Sequence, residues 1–163
     1  MQRSDEVVMD TGVVVEYIDR RGRFHEQAET VFLSLLTGNM KVLLPHPVLA
    51  EIHYVSARIY EVLKLESPRE KATKLVTWLR GLPTVRVPDG GADLAVEVGK
   101  VKLNYGLALT DCYVLAASKI HECRALFRKR EGEMLRSADA LKREYRIVFL
   151  EDHKFDVQRK SLP

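Results

Sequence analysis

Five short apolar runs punctuate the chain: EVVMD (6–10), KVLLP (41–45), TVRVP (84–88), RALF (124–127) and RIVFL (146–150). Most are continuous and rich in Val, Leu and Ile, as strands covered on both faces tend to be. Between them, apolar residues return every three or four positions, the period of a helix with one buried stripe. HEQAETVFLSLLTG (25–38) is such a stretch and stops at Gly38. A longer one follows Pro45 through about Leu65, with Ile52, Val55, Ile59 and Val62 on one stripe. SPREKATKLVTWLRG (67–81) opens with Ser67 as N-cap and Pro68 in the first turn. Segments 91–106 and 110–122 fill the middle, and a last helix runs from about Gly132 to Glu144. Strands alternating with helices predict an α/β domain with a central, mostly parallel five-stranded sheet flanked by helices. No linker, repeat or low-complexity stretch interrupts it, so residues 1–155 read as one domain and 156–163 as a C-terminal tail.

Composition narrows the class only a little. At 163 residues, 46% hydrophobic and 30% charged, the chain is an ordinary single domain with enough residues for a real core. No apolar run approaches the roughly 18 residues of a membrane span, and MQRSDEVVMD lacks the apolar region of a signal peptide. The expectation is a cytoplasmic protein with no membrane association. Cys112 and Cys123, if on one helix, stand roughly 16 Å apart and lack the paired spacing of a zinc site, so both read as structural. His46 and His53 offer no metal pattern and also read as structural. Net charge is +3, but the basic residues cluster in DRRGR (19–23) and RKR (128–130).

The acids carry more information. Asp10 interrupts an apolar run, with Val7, Val8 and Met9 before it and Val13, Val14 and Val15 after it. Burying an unpaired carboxylate there costs several kcal/mol, on the order of the penalties for unpaired buried charge. Asp10 closes the first strand, and function in open α/β sheets gathers at that rim. Capping the following helix is its bland alternative. Glu51 lies in the first turns of its helix with Val48 and Val55 on its face; the bland reading is a surface glutamate at the stripe edge. Asp111 follows Thr110, a good N-cap, and sits where the helix dipole alone favours an acid. Glu131 and Glu133 come just after RALF and open a helix. Carboxylates converging on one edge repel by about 1–4 kcal/mol per close pair at intermediate dielectric. A divalent cation resolves this, and hard oxygen donors with few histidines suit Mg²⁺ or Mn²⁺ better than zinc.

The ordered trio VVMDTGVVVEYI, HPVLAEIHYV and LTDCYVLAAS resembles the PIN-domain family, and most closely its VapC-type toxins, over roughly residues 6–150. The resemblance implies a Mg²⁺- or Mn²⁺-dependent endoribonuclease, a hydrolase of RNA phosphodiester bonds. It implies Asp10, Glu51 and Asp111 as core acids and metal ligands, and a fourth acid after the fourth strand. The family's Thr-x-Asp at that place is here LFRKREGEM, which leaves Glu131 as the nearest substitute and Glu133 as the alternate. Gly12 stands where the family often carries a small hydroxyl residue, so Thr11 and Thr110 are expected to supply hydrogen bonds around the metal. The resemblance further implies a small antitoxin on the rim or an adjacent groove, and a homodimer. Helix 47–65 and segment 67–81, with Val76, could present apolar surface to a partner; Trp78 reads as core. Arg20, Arg21, Arg23, Arg128, Lys129 and Arg130 become candidate holders of RNA phosphates, against the alternative of solvated surface charge.

Other readings stay open. DTG (10–12) is also an aspartic-protease signature, but it occurs once and the long helical patterns oppose that nearly all-β fold. Phosphate-receiver domains also place Asp after the first strand, yet the second acid they need is Gly12. A non-catalytic RNA- or protein-binding module, or an RNA-processing nuclease that is not a toxin, is the more serious alternative.

Overall fold

The protein is described over residues 5–153 by a computed structural model. The tail expected at 156–163 lies outside the described residues. Five strands form one sheet: β1 (Asp5–Met9), β2 (Met40–Leu43), β3 (Val85–Arg86), β4 (Arg124–Phe127) and β5 (Ile147–Phe149). Their order is β3-β2-β1-β4-β5, and every adjacent pair is parallel, so the sheet is wholly rather than mostly parallel. Seven helices connect and flank it: α1 (Thr11–Ile18), α2 (His25–Leu36), α3 (His46–Val62), α4 (Pro68–Gly81), α5 (Ala92–Tyr105), α6 (Leu109–Ile120) and α7 (Glu133–Glu144). A 3₁₀ turn, Leu150–Asp152, follows β5.

The strand order positions the site. From β1 the chain winds outward through β2 to β3, then returns to lay β4 and β5 on the opposite side of β1. The winding reverses between β1 and β4, and such a reversal opens a crevice at the carboxyl ends of the two strands. Residue pairing is in register from Val7↔Arg124 to Met9↔Leu126, and the Asp10 N–H donates to the Leu126 carbonyl at 2.9 Å. Asp10 and Arg128, far apart in sequence, therefore leave the sheet side by side.

Packing explains why these strands read so clearly. Val8, Met9, Leu43, Leu44 and Ala125 are fully enclosed, as central parallel strands with helices on both faces require. Cys112 is buried in the same core, Cys123 is half-buried, and both are free thiols.

The apolar run past Asp10 lies on α1, which Asp10 caps as it closes β1, with Val13 and Val14 buried. Three local expectations need correction. Ser67 precedes α4 but makes no capping bond; its φ of 50° turns the side chain out of capping geometry. Helix α6 begins at Leu109 with Ala108 at the cap position, so Thr110 lies within the first turn rather than before it. Trp78 is not core: it is 38% exposed and stacks at the edge of the Tyr17–Phe32 pair, whose ring centroids are 3.8 Å apart. His53, by contrast, ties α3 to α4 through a 3.0 Å bond to the Thr73 hydroxyl, while His46 is exposed at the start of α3.

Candidate active site

Three helices begin at the carboxyl rim of the sheet, and each delivers one acid. Asp10 ends β1 and caps α1, its Oδ2 accepting the Gly12 N–H at 3.1 Å. Glu51 lies in the second turn of α3, which starts directly after β2 because Pro45 and Pro47 suit a helix entry. Asp111 is in the first turn of α6. Positions near helix N-termini favour negative charge. All three acids line one cavity of about 350 Å³ with Thr110, Arg128 and Glu131.

The electrostatics of that cavity are unfavourable as they stand. Burial pushes the Asp10 carboxyl up to about 6, and the charge of Glu51 adds to the effect; the Gly12 amide and Arg128 pull the other way. Burial pushes Asp111 to about 7, reinforced by Asp10, Glu51, Glu131 and Glu133. Oδ1 of Asp10 and Oγ1 of Thr11 are enclosed without a hydrogen-bond partner. Buried polar atoms are nearly always partnered, so two orphans side by side call for an explanation. Among the described residues, no group of three or more His, Cys, Asp or Glu side chains is arranged to hold a metal ion as it stands; Asp10, Glu51 and Asp111 share a cavity without closing on a common point.

The donors present fit a hard divalent cation. The lining offers carboxylate and hydroxyl oxygens and contains neither Cys nor His. A cation beside Asp10 would satisfy Oδ1 and relieve the repulsion that raises Asp111.

The remaining site expectations separate cleanly by position. Thr110 donates to Glu51 Oε2 at 2.8 Å, which fixes that carboxylate toward the cavity. Thr11 is buried with its hydroxyl unused. Glu131 lies on the lip, where Arg128 donates to it and Lys129 stands 3.7 Å away. Glu133, the first residue of α7, is exposed and outside the cavity lining. Of the basic residues, Arg128 and Lys129 line the cavity.

Arg20, Arg21 and Arg23 do not line it: the cluster follows α1 rather than β1, and eight helical residues carry it roughly 12 Å along. Arg21 pairs with Asp19, and Arg23 lies 5.6 Å from the Phe24 ring. Arg130 is committed elsewhere, paired with Glu151 at 2.8 Å and Asp152 at 2.7 Å and set over the Phe149 ring.

Two residues escaped the sequence reading. Glu16, only 6% exposed, accepts the Phe24 N–H at 3.1 Å and meets Arg128 Nη1 at 3.5 Å. Helical spacing from Val13 was its signal, legible only once residues 11–18 are read as a helix. Tyr54, one turn from Glu51, lines the cavity with its ring exposed and Arg58 5.5 Å from its centroid.

Comparison with known proteins follows the same outline. The PIN domain family model matches residues 7–146. No curated protein matches the chain by sequence. Among solved structures, the chain is similar to VapBC2 from Rickettsia felis bound to a DNA fragment from their promoter, at 15% identity over 88% of this chain and 96% of that chain, with a TM-score of 0.57. It is similar to Mycobacterium tuberculosis VapC20, a sarcin-ricin loop cleaving toxin, at 16% identity over 72% and 84%, TM-score 0.57. FitAcB from Neisseria gonorrhoeae aligns at 19% identity over 90% and 99%, TM-score 0.57. At these identities the likeness is one of fold. With a wholly parallel five-stranded sheet and a family match along most of its length, the chain belongs to the PIN-domain family.

Proposed function

We propose that this protein is a metal-dependent endoribonuclease and the toxin of a VapBC-type toxin–antitoxin pair. One observation carries the reading: Asp10, Glu51 and Asp111 arrive from three separate elements to line a single cavity in which a buried oxygen of Asp10 has no partner. Asp10, Glu51 and Asp111 would hold Mg²⁺ or Mn²⁺, with Glu131 and Glu133 adding negative potential at the lip. The ion, when bound, would activate water and neutralise charge on the phosphate. Thr110 orients Glu51, and Arg128 and Lys129 are placed to hold a phosphate of the substrate. The exposed Tyr54 ring beside Glu51 suits stacking of an unpaired base, which favours single-stranded or looped RNA.

The toxin assignment draws on the fold neighbours, which include a sarcin-ricin loop cleaving toxin and a toxin–antitoxin complex from Klebsiella pneumoniae. A second cavity of about 520 Å³ is lined by Tyr17, Phe32, Leu33 and Leu36 with Glu26, Glu29 and Thr30 beside them, and this groove is the place proposed for a small antitoxin. No helix among the described residues is long and apolar enough to cross a membrane. A homodimer belongs to the same reading; light scattering coupled to size exclusion would give twice the chain mass, and a monomer at high concentration would remove it.

Cleavage of a panel of structured RNAs with Mg²⁺ or Mn²⁺ tests the activity. The parent should cut, and Asp10→Asn and Asp111→Asn should not. Equal cleavage by all three would remove this site. RNA binding without cleavage under every metal would favour a non-catalytic binding module.

A further inference from the structure

The β4 side of the cavity already holds a cation of the protein's own. Arg128 leaves the end of β4 directly opposite Gly12 in the first turn of α1. A Cβ on Gly12 would stand 2.9 Å from the Cβ of Arg128 and 3.1 Å from Asp10 Oδ2. The missing side chain lets the arginine stem cross the helix close to Asp10. Its guanidinium then reaches two carboxylates, Nη1 toward buried Glu16 at 3.5 Å and Nη2 bonded to Glu131 on the lip. Glu16 is itself fixed by the Phe24 N–H. The arginine side chain, 27% exposed, is thus held at both ends, and its charge cannot be shed.

Building on the nuclease reading, we propose that Arg128 is a positioning residue that stands in place of a second divalent cation, so that the cavity takes one ion on the Asp10–Glu51–Asp111 side. A two-metal site needs ions about 3.5–4 Å apart with carboxylates shared between them. Here the acid available on the β4 side, Glu131, is taken by a guanidinium that repels any ion approaching from that direction. The fork of the arginine remains suited to a phosphate once Glu131 yields. Gly12 and Glu16 are then parts of one device, the first making room for the arginine stem and the second anchoring its head.

Calorimetric titration of Mn²⁺ into the full chain near pH 8, where the carboxylates are ionised, tests the proposal. The parent and Arg128→Lys, which keeps the charge, should bind one ion per chain. Arg128→Gln frees Glu131 and should bind two, and adding Glu131→Gln to it should restore one. Circular dichroism checks that each variant folds. If Arg128→Gln does not fold, Glu131→Gln in the parent decides. Affinity within about threefold of the parent supports the proposal, whereas a loss of the 10–100-fold size seen for groups that matter to a metal overturns it. A single ion bound equally by the parent and Arg128→Gln overturns the role of Arg128 and leaves the nuclease reading standing, as does a parent that binds two. A parent that binds no Mn²⁺ overturns both.

Discussion

The two walls of the cavity carry similar acids in different company. Among the described residues, Asp10, Glu51 and Asp111 form no ion pair; Asp10 accepts from a backbone amide and Glu51 from the Thr110 hydroxyl. Across the cavity and behind it, Glu16, Glu131, Glu151 and Asp152 each meet an arginine, through Arg128 or Arg130. The pKa directions follow: Asp10 and Asp111 are raised, whereas Glu151 and Asp152 are lowered by the hydrogen bonds of Arg130. Acid content alone therefore does not mark the functional side. What distinguishes it is charge left uncompensated in a buried place, which structural ion pairs do not leave behind.

The contrast breaks most readily by removing one acid from each wall. Asp111→Asn should weaken Mn²⁺ binding by more than about 100-fold, beyond the range for groups that only support a ligand, while Glu131→Gln should change it by less than about threefold. Equal losses would merge the two walls into one site.

Next in size is the response of stability to metal and pH. Asp10 and Asp111 titrate in the folded protein near 6 and 7, above their unfolded values. They therefore hold protons more tightly when folded, and without a bound ion their effect is to lower stability as pH rises from about 4, the unfolded value, through the folded values. A divalent ion held as proposed would act in the opposite sense, because it would bind the ionised form. At an ion concentration about 100 times its Kd, thermal or urea unfolding should show about 2.7 kcal/mol of added stability near pH 8. That gain should fade toward pH 5, where protons occupy the carboxyls. A gain independent of pH would place the ion elsewhere.

A smaller effect is expected from Thr110→Val, which leaves Glu51 without its 2.8 Å hydrogen bond. Metal affinity and cleavage should fall by about 10–100-fold, and Thr110→Ser should recover most of the loss. The smallest effect on the metal is that of Arg130→Ala, which should leave Mn²⁺ binding unchanged while lowering folding stability by about 1.5–3 kcal/mol, the worth of charged hydrogen bonds. An effect of Arg130 on the metal would mean that the Arg130–Glu151–Asp152 cluster belongs to the site as well.

The same contrast explains what the sequence made legible. The strands were visible because both faces of a parallel sheet are covered, so their apolar runs are unbroken; RALF coincides with β4. Asp10 and Asp111 were visible because one closes a strand and the other opens a helix, and Glu51 because it lies in the early turns of the helix after β2. Asp10 announced a following helix, but three consecutive valines fit strand and helix alike, so the extent of α1 was not legible and with it went Glu16, whose burial appears only on the helical face. Arg20, Arg21, Arg23 and Arg130 fall outside the cavity lining for a related reason, whereas Arg128 lines it. A run such as DRRGR or RKR states charge but not partners, and Arg130 finds its partners 21 and 22 residues further on. Trp78 was taken for core on size, whereas α4 leaves it on the rim of the Tyr17–Phe32 stack.

The central claim, that uncompensated acids at the β1 end await a divalent ion, is tested most directly by a carbon-13 NMR titration of the Asp10 and Asp111 carboxyls. The two groups would be assigned with Asp10→Asn. Without divalent ion the midpoints should lie near 6 and 7, and saturating Mg²⁺ should drive both below about 5. Midpoints near 4 that ignore Mg²⁺ would contradict the account.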